Sequence, residues 1–364
     1  MTTTTPQAAC APDFSAVRQQ VETVLARFLE RKTIAAVPQH LPTETVEALA
    51  SFLTAGGKRL RPILCVTGWH AAAGQQQPSA AVLQVAAALE MFHTFCLIHD
   101  DIMDRSPTRR GRPTVHRALA DRHTASRPRA LAEQFGNAAA MLIGDLALTW
   151  SDELIHTAGL TPGQLTTLLP LLDAMRTEVM YGQYLDLTAT GRPTDDVGQA
   201  LTVIRYKTAK YTIERPLHIG AALAGGFTEL ADTLTAYALP LGEAFQLRDD
   251  LLGVFGVPEQ TGKSRLDDLR EGKHTVLVAL ALRDATARHA GVLRSLLGRA
   301  DLTEAQATQI RTILTLTGAR TRVEDMISRR RDCVLRILAA PGPLHPSVTP
   351  TLHRLADTTT RRTS

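Results

Sequence analysis

The feature that most constrains the fold is the stretch of residues 83–104, LQVAAALEMFHTFCLIHDDIMD. Between Leu83 and Ile98 it contains one formally charged residue, Glu90, and neither proline nor glycine. This length allows about four helical turns, and apolar side chains lie on nearly every side of the helix. The pattern therefore predicts a buried helix in the middle of a large helical protein.

The end of this predicted helix carries three aspartates, Asp100, Asp101 and Asp104. Helical spacing puts Asp100 and Asp104 on one face, one turn apart. Two carboxylates held so close repel each other, and a divalent cation is the usual compensation. A solvated helix end is the alternative, but acids are unfavourable at the C-terminal pole of a helix dipole. We therefore interpret the pair as a metal site.

The residues that follow the acids are suited to binding an anion. Four arginines lie within residues 105–112, and Pro107 and Gly111 interrupt the segment. This composition predicts a loop that presents guanidinium groups to an anion. Mg²⁺ prefers one or two protein carboxylates and completes its coordination with water and substrate phosphates. An acid pair followed directly by an arginine-rich turn is therefore a stronger signal than the pair alone.

Composition supports a soluble helical protein. Aromatic residues make up only 4% of the chain although 44% is hydrophobic, and Ala and Leu favour helices over strands. The 40 basic residues nearly balance the 36 acidic ones, and no basic stripe with interleaved aromatics indicates nucleic acid as a partner. The N-terminus lacks the pattern of a secretory signal, and no run approaches ~18 uninterrupted apolar residues. We expect no membrane span and a cytoplasmic location.

The domain organisation is expected to be simple. Residues 1–12, rich in Thr and Pro, are predicted to be a disordered leader, and residues 341–364 a frayed tail. No proline-rich linker divides residues 13–340, which favours one all-α domain. Within it, residues 115–135 are charged and are predicted to be loop-like, with a break at Pro128.

A second basic segment follows a predicted helix over residues 43–54. It reads AGGKRLRP over residues 55–62 and places Lys58, Arg59 and Arg61 within four positions. A basic loop that opens a helix is a good anion site, because the helix start adds free amide donors. A glycine C-cap with solvated charges is the other interpretation, and the segment alone leaves both open.

The acidic motif recurs later in the chain. HDDIMD at residues 99–104 is matched by RDDLLG at residues 248–253, with Gly253 in place of the third acid. Both motifs end apolar helical patterns, and uncompensated buried acids are costly. Two buried helices that each present aspartates therefore imply one cluster of metal ions between them. A charged loop with Lys263 and Lys273 follows, and its glycines would allow it to fold over a bound anion.

Six ordered blocks from about Gly56 to Thr275 resemble the trans-isoprenyl (polyprenyl) diphosphate synthases. The blocks are GGKRLRP, HTFCLIHDDIMD with RRGRPTVH, YGQYLDL, RYKTAKYT, FQLRDDLLGVFG and TGK with DDLREGK. Their details are most similar to bacterial synthases that make geranylgeranyl or farnesyl diphosphate. The resemblance implies a single large all-α bundle of the isoprenoid synthase type with a central apolar cavity, and a homodimer. It also implies condensation of isopentenyl diphosphate with an allylic diphosphate.

The resemblance also assigns roles to individual residues. Mg²⁺, three ions with substrate bound, would be held by Asp100, Asp104 and Asp249, with support from Asp101 and Asp250. The side chains that would contact the allylic diphosphate are Arg109, Lys207, Thr208, Gln246, Lys263 and Lys273. Those that would hold the diphosphate of isopentenyl diphosphate are Lys58, Arg61, His93 and Arg110. Asp100, Asp104, Asp249 and Lys207 would be the catalytic set.

Residues before the first motif would set product length. In the family, bulk four and five residues before the first aspartate forms the floor of the apolar shaft, and these positions are Cys96 and Phe95 here. Helical geometry places Cys96 and Phe92 near the Asp100 face but Phe95 about 140° away. The small Cys96 indicates a deeper shaft than a farnesyl synthase has, while the large Phe95 argues against very long products. We predict a C20 product, with C15 as the alternative.

The sequence departs from the family pattern at two positions, and two other functions are possible for a chain with these motifs. Gly253 lacks the acid of the first motif, and Leu266 stands where relatives often have glycine in the flap loop. A class I terpene cyclase shares the helical fold but has no use for a second diphosphate site, here Lys58, Arg61, His93 and Arg110. A non-catalytic partner subunit could dispense with its metal acids, and this chain has both sets.

Overall fold

The computed structural model describes residues 13–74, 76–256 and 265–360. In these residues almost all regular structure is helical, which confirms the all-α prediction. The predicted leader, residues 1–12, lies outside the described residues. The first helices are α1 (Phe14–Ala36), α2 (Glu44–Thr54), α3 (Leu60–Ala73), α4 (Ala80–Met103), α5 (Val115–His123), α6 (Arg129–His156) and α7 (Pro162–Ala189).

A second series of helices continues to the end of the described chain. Helix α8 (Val197–Val203) runs directly into a π-helix (Ile204–Glu214) and then into α9 (Arg215–Leu223). The others are α10 (Phe227–Phe255), α11 (Asp267–Glu271), α12 (Val276–Asp284), α13 (Ala287–Leu296), α14 (Glu304–Leu316), α15 (Ala319–Ala339) and α16 (Thr349–Thr360). Short 3₁₀ turns lie at Val37–Gln39 and Pro346–Val348. Strands β1 (Thr108–Arg109) and β2 (Arg112–Pro113) pair as an antiparallel hairpin.

The chain divides into two compact units. The first unit comprises residues 15–63 and 79–161, and the second comprises the rest of the described chain. The first motif and both predicted arginine and glycine-rich loops belong to the first unit, whereas the second motif and its charged loop belong to the second. Each unit is described by itself below.

The first unit is built around α4, as the sequence predicts. Ser79 caps the helix by accepting a hydrogen bond from the Val82 N–H, and α4 packs along most of α6. By length and composition α4 would be able to cross a membrane, but 67% of its most apolar window is buried inside the protein. This burial is typical of the core helix of a soluble protein.

Residues 115–135 differ from the loop predicted for them, because they form α5 and the beginning of α6. Leu119 and Ala120 are buried, and the two helices approach closely because Gly136 has no side chain. A Cβ on Gly136 would lie 2.3 Å from the His116 carbonyl oxygen. The charges that made this segment resemble a loop lie on the outer side of an amphipathic helix.

The second unit packs α10 against the π-helix and α15. Tyr237 of α10 is fully buried, and its hydroxyl donates a hydrogen bond of 2.9 Å to the Leu352 carbonyl oxygen. Leu352 and Leu355 of α16 are buried as well. Residues 349–360 therefore form a packed helix rather than the frayed tail expected from the sequence.

Candidate active site

Asp100, Asp101 and Asp104 occupy the last turn of α4. The helix ends at Met103, and the Asp104 N–H still donates to the Asp100 carbonyl oxygen over 2.8 Å. Asp101 is buried, and the Arg109 Nε lies 2.8 and 2.9 Å from its two carboxylate oxygens. Arg109 Nη2 also lies 3.5 Å from an Asp100 oxygen. Arg109 therefore compensates the buried acid, and Asp100 with Asp104 remains the more accessible pair.

The β1–β2 hairpin sets the directions of the two central arginines. Its turn consists of Arg110 and Gly111, whose φ angles of 53° and 72° are both positive, as in the two-residue type I′ turn. Arg109, at the end of β1, reaches the acids of α4, whereas Arg110, in the turn, reaches the glycine-rich loop. The guanidinium of Arg110 donates to the Gly56 carbonyl oxygen and lies over the Phe52 ring at 5.9 Å.

The glycine-rich loop brings its backbone close to these guanidinium groups. Gly57 has a φ of 150°, and a Cβ there would lie 3.0 Å from Arg110 Nη2 and 3.1 Å from Arg59 Nη1. Any side chain at this position would intrude on both groups. The loop therefore needs glycine both for its conformation and for the close approach of the arginines.

Arg59 has a structural role that the sequence did not reveal. It is 4% exposed, and its Nη1 donates to the Glu90 carboxylate over 2.7 Å. Glu90, the single charged residue in the apolar part of α4, is itself 4% exposed by its side chain. A buried acid without such a partner would be strongly destabilising. The pair anchors the basic loop to α4.

His93 lies in the positive field of several arginines of the first unit. Burial and then the positive charges of Arg61, Arg109, Arg110 and Arg59 lower the pKa of His93 well below its ordinary value of 6.5. The imidazole is therefore neutral at pH 7, where it donates or accepts hydrogen bonds without adding charge. Several guanidinium groups around a neutral donor form a suitable environment for a diphosphate.

In the second unit, Lys207 and Thr208 lie on the π-helix. Lys207 Nζ lies 2.6 Å from an Asp186 carboxylate oxygen of α7. The backbone of the π-helix approaches α7 at Gly182, where a Cβ would lie 2.4 Å from the Lys207 nitrogen. The π-helix, which is 11 residues long, carries both Lys207 and Thr208, the residues predicted to contact the allylic diphosphate.

Thr208 begins a short chain of hydrogen bonds that ends at the second motif. Its hydroxyl donates to Gln246 Oε1 over 2.8 Å, and Gln246 Nε2 donates to Asp250 Oδ1 over 2.8 Å. Burial raises the pKa of Asp250 to about 7, and the nearby carboxylates of Asp268 and Asp249 act in the same direction. A cation at this position would favour the ionised carboxylate.

Gly253, the departure from the first motif, makes room for another acid. An ideal Cβ at Gly253 would lie 1.8 Å from Oδ2 of Asp268. Asp268 belongs to α11 and lies 3.7 Å from Lys273 Nζ, which is also 2.8 Å from a Glu271 oxygen. The space of a third acid on α10 is thus taken by a carboxylate from α11.

Three further predicted site residues are Lys58, Asp249 and Lys263. Lys263 lies outside the described residues, so its predicted diphosphate contact stays a prediction. Lys58 precedes Arg59 in the glycine-rich loop of the first unit, and Asp249 precedes Asp250 on α10 in the second.

Two acidic residues were not identified from the sequence. Asp186, the partner of Lys207, lies in the block YGQYLDL, where a mid-helix glycine signals close backbone approach. Glu178 on the same helix α7 binds Lys210 over 2.6 Å and Arg215 through two bonds of 2.8 Å. Together these acids hold the π-helix against α7 through ion pairs.

The residues predicted to set product length form an aromatic row on α4. The rings of Phe92 and Phe95 lie 5.4 Å apart, and those of Phe95 and His99 lie 4.7 Å apart. Phe92 and Phe95 are buried, and Cys96 is partly buried. Phe95 therefore lies toward His99 rather than directly below Asp100.

The donor set fits Mg²⁺. Over residues 13–74, 76–256 and 265–360, no three His, Cys, Asp or Glu side chains converge closely enough to hold a metal ion by themselves. The acids are carboxylates in pairs, Asp100 with Asp104 and Asp249 with Asp250. Mg²⁺ usually binds one or two carboxylates and takes its other ligands from water and phosphate, so these pairs suit it better than metals that need closed protein sites.

Comparisons with known proteins identify the family of the chain. The family model for polyprenyl synthetase matches residues 43–314. A solved geranylgeranyl pyrophosphate synthase from Corynebacterium glutamicum, in complex with isoprenyl diphosphate and magnesium, is 39% identical. It superposes with a TM-score of 0.91 over 96% of this chain and 100% of its own.

Curated relatives differ in the product that their names give. The geranylfarnesyl diphosphate synthase of Aeropyrum pernix is 32% identical over 82% of this chain and 89% of its own length. The farnesyl diphosphate synthase of Geobacillus stearothermophilus is 34% identical over 74% of this chain and 83% of its own length. Similarity alone thus leaves product length open.

Proposed function

The chain belongs to the polyprenyl synthetase family and is a trans-prenyltransferase, and from that premise we propose that it is a Mg²⁺-dependent geranylgeranyl diphosphate synthase. It would add isopentenyl diphosphate to allylic diphosphates until the chain reaches C20. The corresponding C15 activity is the nearest alternative.

One observation carries the proposal: the first unit holds a group of cationic side chains beside the acid pair Asp100 and Asp104. Arg109 connects the two, because it binds Asp101 and also contributes to the positive field at His93. A cationic cluster binds one diphosphate directly, whereas an acid pair binds another through Mg²⁺. Two neighbouring diphosphate sites are what a coupling enzyme requires, and a terpene cyclase needs only one.

The cationic cluster is assigned to isopentenyl diphosphate. Lys58 and Arg61 come from the glycine-rich segment, and His93 and Arg110 from α4 and the hairpin. None of these groups has to accept or donate a proton for the diphosphate to bind. They fix the position of the homoallylic double bond relative to the allylic carbon, which lowers the entropic part of the barrier.

The acids and the π-helix are assigned to the allylic diphosphate. Asp100, Asp104 and Asp249 would hold Mg²⁺, which when bound neutralises the charge that develops on the leaving diphosphate. The basic and polar side chains that would contact this diphosphate are Arg109, Lys207, Thr208, Gln246, Lys263 and Lys273.

The reaction itself needs no protein nucleophile. The allylic C–O bond breaks, and its electron pair leaves with the diphosphate. The π electrons of isopentenyl diphosphate then form the new C–C bond, and the departed diphosphate takes up the proton whose loss restores a double bond. The apolar face of α4 contributes by excluding water, which would otherwise add to the allylic cation.

Product length is proposed from the aromatic row on α4. Cys96 is small and lies near the Asp100 face, so it leaves room below the first aspartates, while Phe92 and Phe95 supply bulk. The 39% identical relative from Corynebacterium glutamicum is named a geranylgeranyl pyrophosphate synthase. Both considerations favour C20 over C15 and over the C25 product in the name of the Aeropyrum pernix relative.

We also propose a homodimer in the cytoplasm. Helix α6 exposes Leu131, Met141 and Leu142, of which Leu142 is 65% exposed. Large exposed apolar side chains on one helix indicate a protein interface, and a second copy of the chain is the simplest partner that can cover this face in every molecule.

Incubation of the purified protein with Mg²⁺, isopentenyl diphosphate and dimethylallyl, geranyl or farnesyl diphosphate tests the proposal. We expect C20 product only when isopentenyl diphosphate is present, and none in EDTA. Cyclic hydrocarbon formed without isopentenyl diphosphate would instead identify a cyclase. An inactive but folded protein would identify a partner subunit, and both results would overturn the proposal.

A further inference from the structure

The ring of Phe95 is fixed between two other rings of the same helix. It lies 5.4 Å from Phe92 on one side and meets His99 edge-on at 4.7 Å, with 61° between the ring planes. Edge-to-face pairs at such distances are favourable beyond the area that they bury. The position of Phe95 therefore depends on where the His99 ring lies.

The position of His99 is in turn fixed by α6. Its Nε2 lies 3.1 Å from the Met141 carbonyl oxygen and 3.5 Å from an Asp145 carboxylate oxygen. The ring lies directly against Gly144, where a Cβ would be 2.3 Å from both Cδ2 and Nε2 of His99. Only a glycine at 144 permits this arrangement without movement of the imidazole.

From these contacts we propose that Gly144 and His99 are specificity-determining residues for product length, acting through the ring of Phe95. The proposal rests on the proposed function, in which the aromatic row of α4 limits the growing chain. Neither residue would touch the diphosphates. Their role is to fix how far the rings of Phe95 and Phe92 stand from the Asp100 face of α4.

The expected direction of the effect follows from the order of the rings. A methyl group at 144 would need the His99 ring to retreat by about 1 Å, from 2.3 Å to the 3.4 Å of ordinary contact. Because the Phe95 ring meets the His99 ring at 4.7 Å and the Phe92 ring at 5.4 Å, we expect a retreat along the row to press on Phe95 and then on Phe92. Phe92 lies eight residues before Asp100, about 80° from it around the helix, so the displaced rings would narrow the shaft.

Three variants test the proposal with opposite expected outcomes. Gly144→Ala should shift products from C20 toward C15, with the C20 to C15 ratio falling roughly tenfold or more, as expected for the loss of about one methylene of pocket space. His99→Ala removes the ring that holds Phe95 and should lengthen products. The double variant Phe95→Ala with Gly144→Ala should give the long products of Phe95→Ala alone, because the displaced row then lacks its middle ring.

Two glycine variants serve as matched controls. Gly136→Ala lies in the same helix and would clash with the His116 carbonyl oxygen of α5 at 2.3 Å, but it does not contact the aromatic row. Gly291→Ala in α13 has no atom within 4 Å of the added Cβ. Both should keep the wild-type product ratio, and Gly136→Ala should do so even though it loses stability.

The outcomes separate this proposal from the proposed function. If the wild-type protein transfers no prenyl group, the proposed function itself is refuted. Transfer with an unchanged C20 to C15 ratio in Gly144→Ala, or equal shortening with and without Phe95, would overturn the present proposal alone. If Gly144→Ala does not fold, wild-type product length in His99→Ala would overturn it.

Discussion

Replacing Gly253 with aspartate restores the third acid of the second motif, and yet we expect it to destabilise the protein. The reason is that Asp268 already fills this space, with Oδ2 1.8 Å from the position of a Cβ on residue 253. Gly253→Ala tests the steric part of the effect, and Gly253→Asp adds the electrostatic part. The double variant Gly253→Asp with Asp268→Asn separates the electrostatic part from the steric part.

The magnitudes follow from the contacts. Gly253→Ala gains about 1 kcal/mol in helix propensity and loses a similar amount when the Asp268 carboxylate turns away, so its net change should stay within about 1 kcal/mol. Gly253→Asp adds a negative charge near that of Asp268. Two like charges at ~4 Å repel by about 4 kcal/mol at an effective dielectric constant of 20, and partial exposure of Asp268 reduces this to about 2 kcal/mol.

Urea unfolding at pH 8 in EDTA measures these differences. Gly253→Asp should be about 2 kcal/mol less stable than Gly253→Ala, and Asp268→Asn in the Gly253→Asp background should recover most of that loss. Equal stability of Gly253→Asp and Gly253→Ala would refute the idea that Asp268 occupies the place of the third acid.

Three further predictions concern the two units separately. Burial raises the pKa of Asp250 to about 7, whereas in the unfolded chain this carboxyl has its ordinary pKa near 4. The folded protein therefore holds a proton that the unfolded chain releases, and the metal-free protein should lose stability on the order of a few kcal/mol as the pH rises from 4 to 7. Urea titrations of Asp250→Asn across this pH range should show no such loss. Glu178→Gln leaves the partly buried Lys210 and Arg215 with Glu214 as their counter-charge, at the longer distances of 3.6 and 3.9 Å. It should lower the free energy of unfolding by about 2 kcal/mol, against no more than ~0.5 kcal/mol for the exposed Glu30→Gln. Leu142→Glu should convert a dimer to a monomer in light scattering after size exclusion, and an unchanged mass would exclude α6 as the interface.

Local sequence patterns predicted the helices that carry the acids. The apolar run before Asp100 defines α4 because its length and lack of breakers leave few alternatives, and the structure confirms it from Ala80 to Met103. The segment 115–135 was mispredicted as a loop because its charges were taken as a loop signal, although the segment forms α5 and the beginning of α6. Helix α16 was not predicted because the prolines before its two buried leucines were taken as signs of an irregular tail.

Contacts between distant segments had no local signal. Glu90 reads as an unexplained charge until Arg59, 31 residues earlier, is seen to bind it. Likewise Gly253 reads as the loss of an acid until Asp268 is found in its space. Both contacts depend on which helices and loops pack together. A single sequence shows which residue types are present, but it does not show which of them meet in the fold.

The most direct test of the account is the rate of C20 formation by Asp100→Asn and Asp249→Asn, with Mg²⁺, isopentenyl diphosphate and farnesyl diphosphate at saturation. Circular dichroism would verify that each variant is folded. The account predicts that each substitution lowers the rate about a hundredfold or more, because charge stabilisation at the leaving group dominates the barrier. A wild-type rate in either folded variant would contradict it.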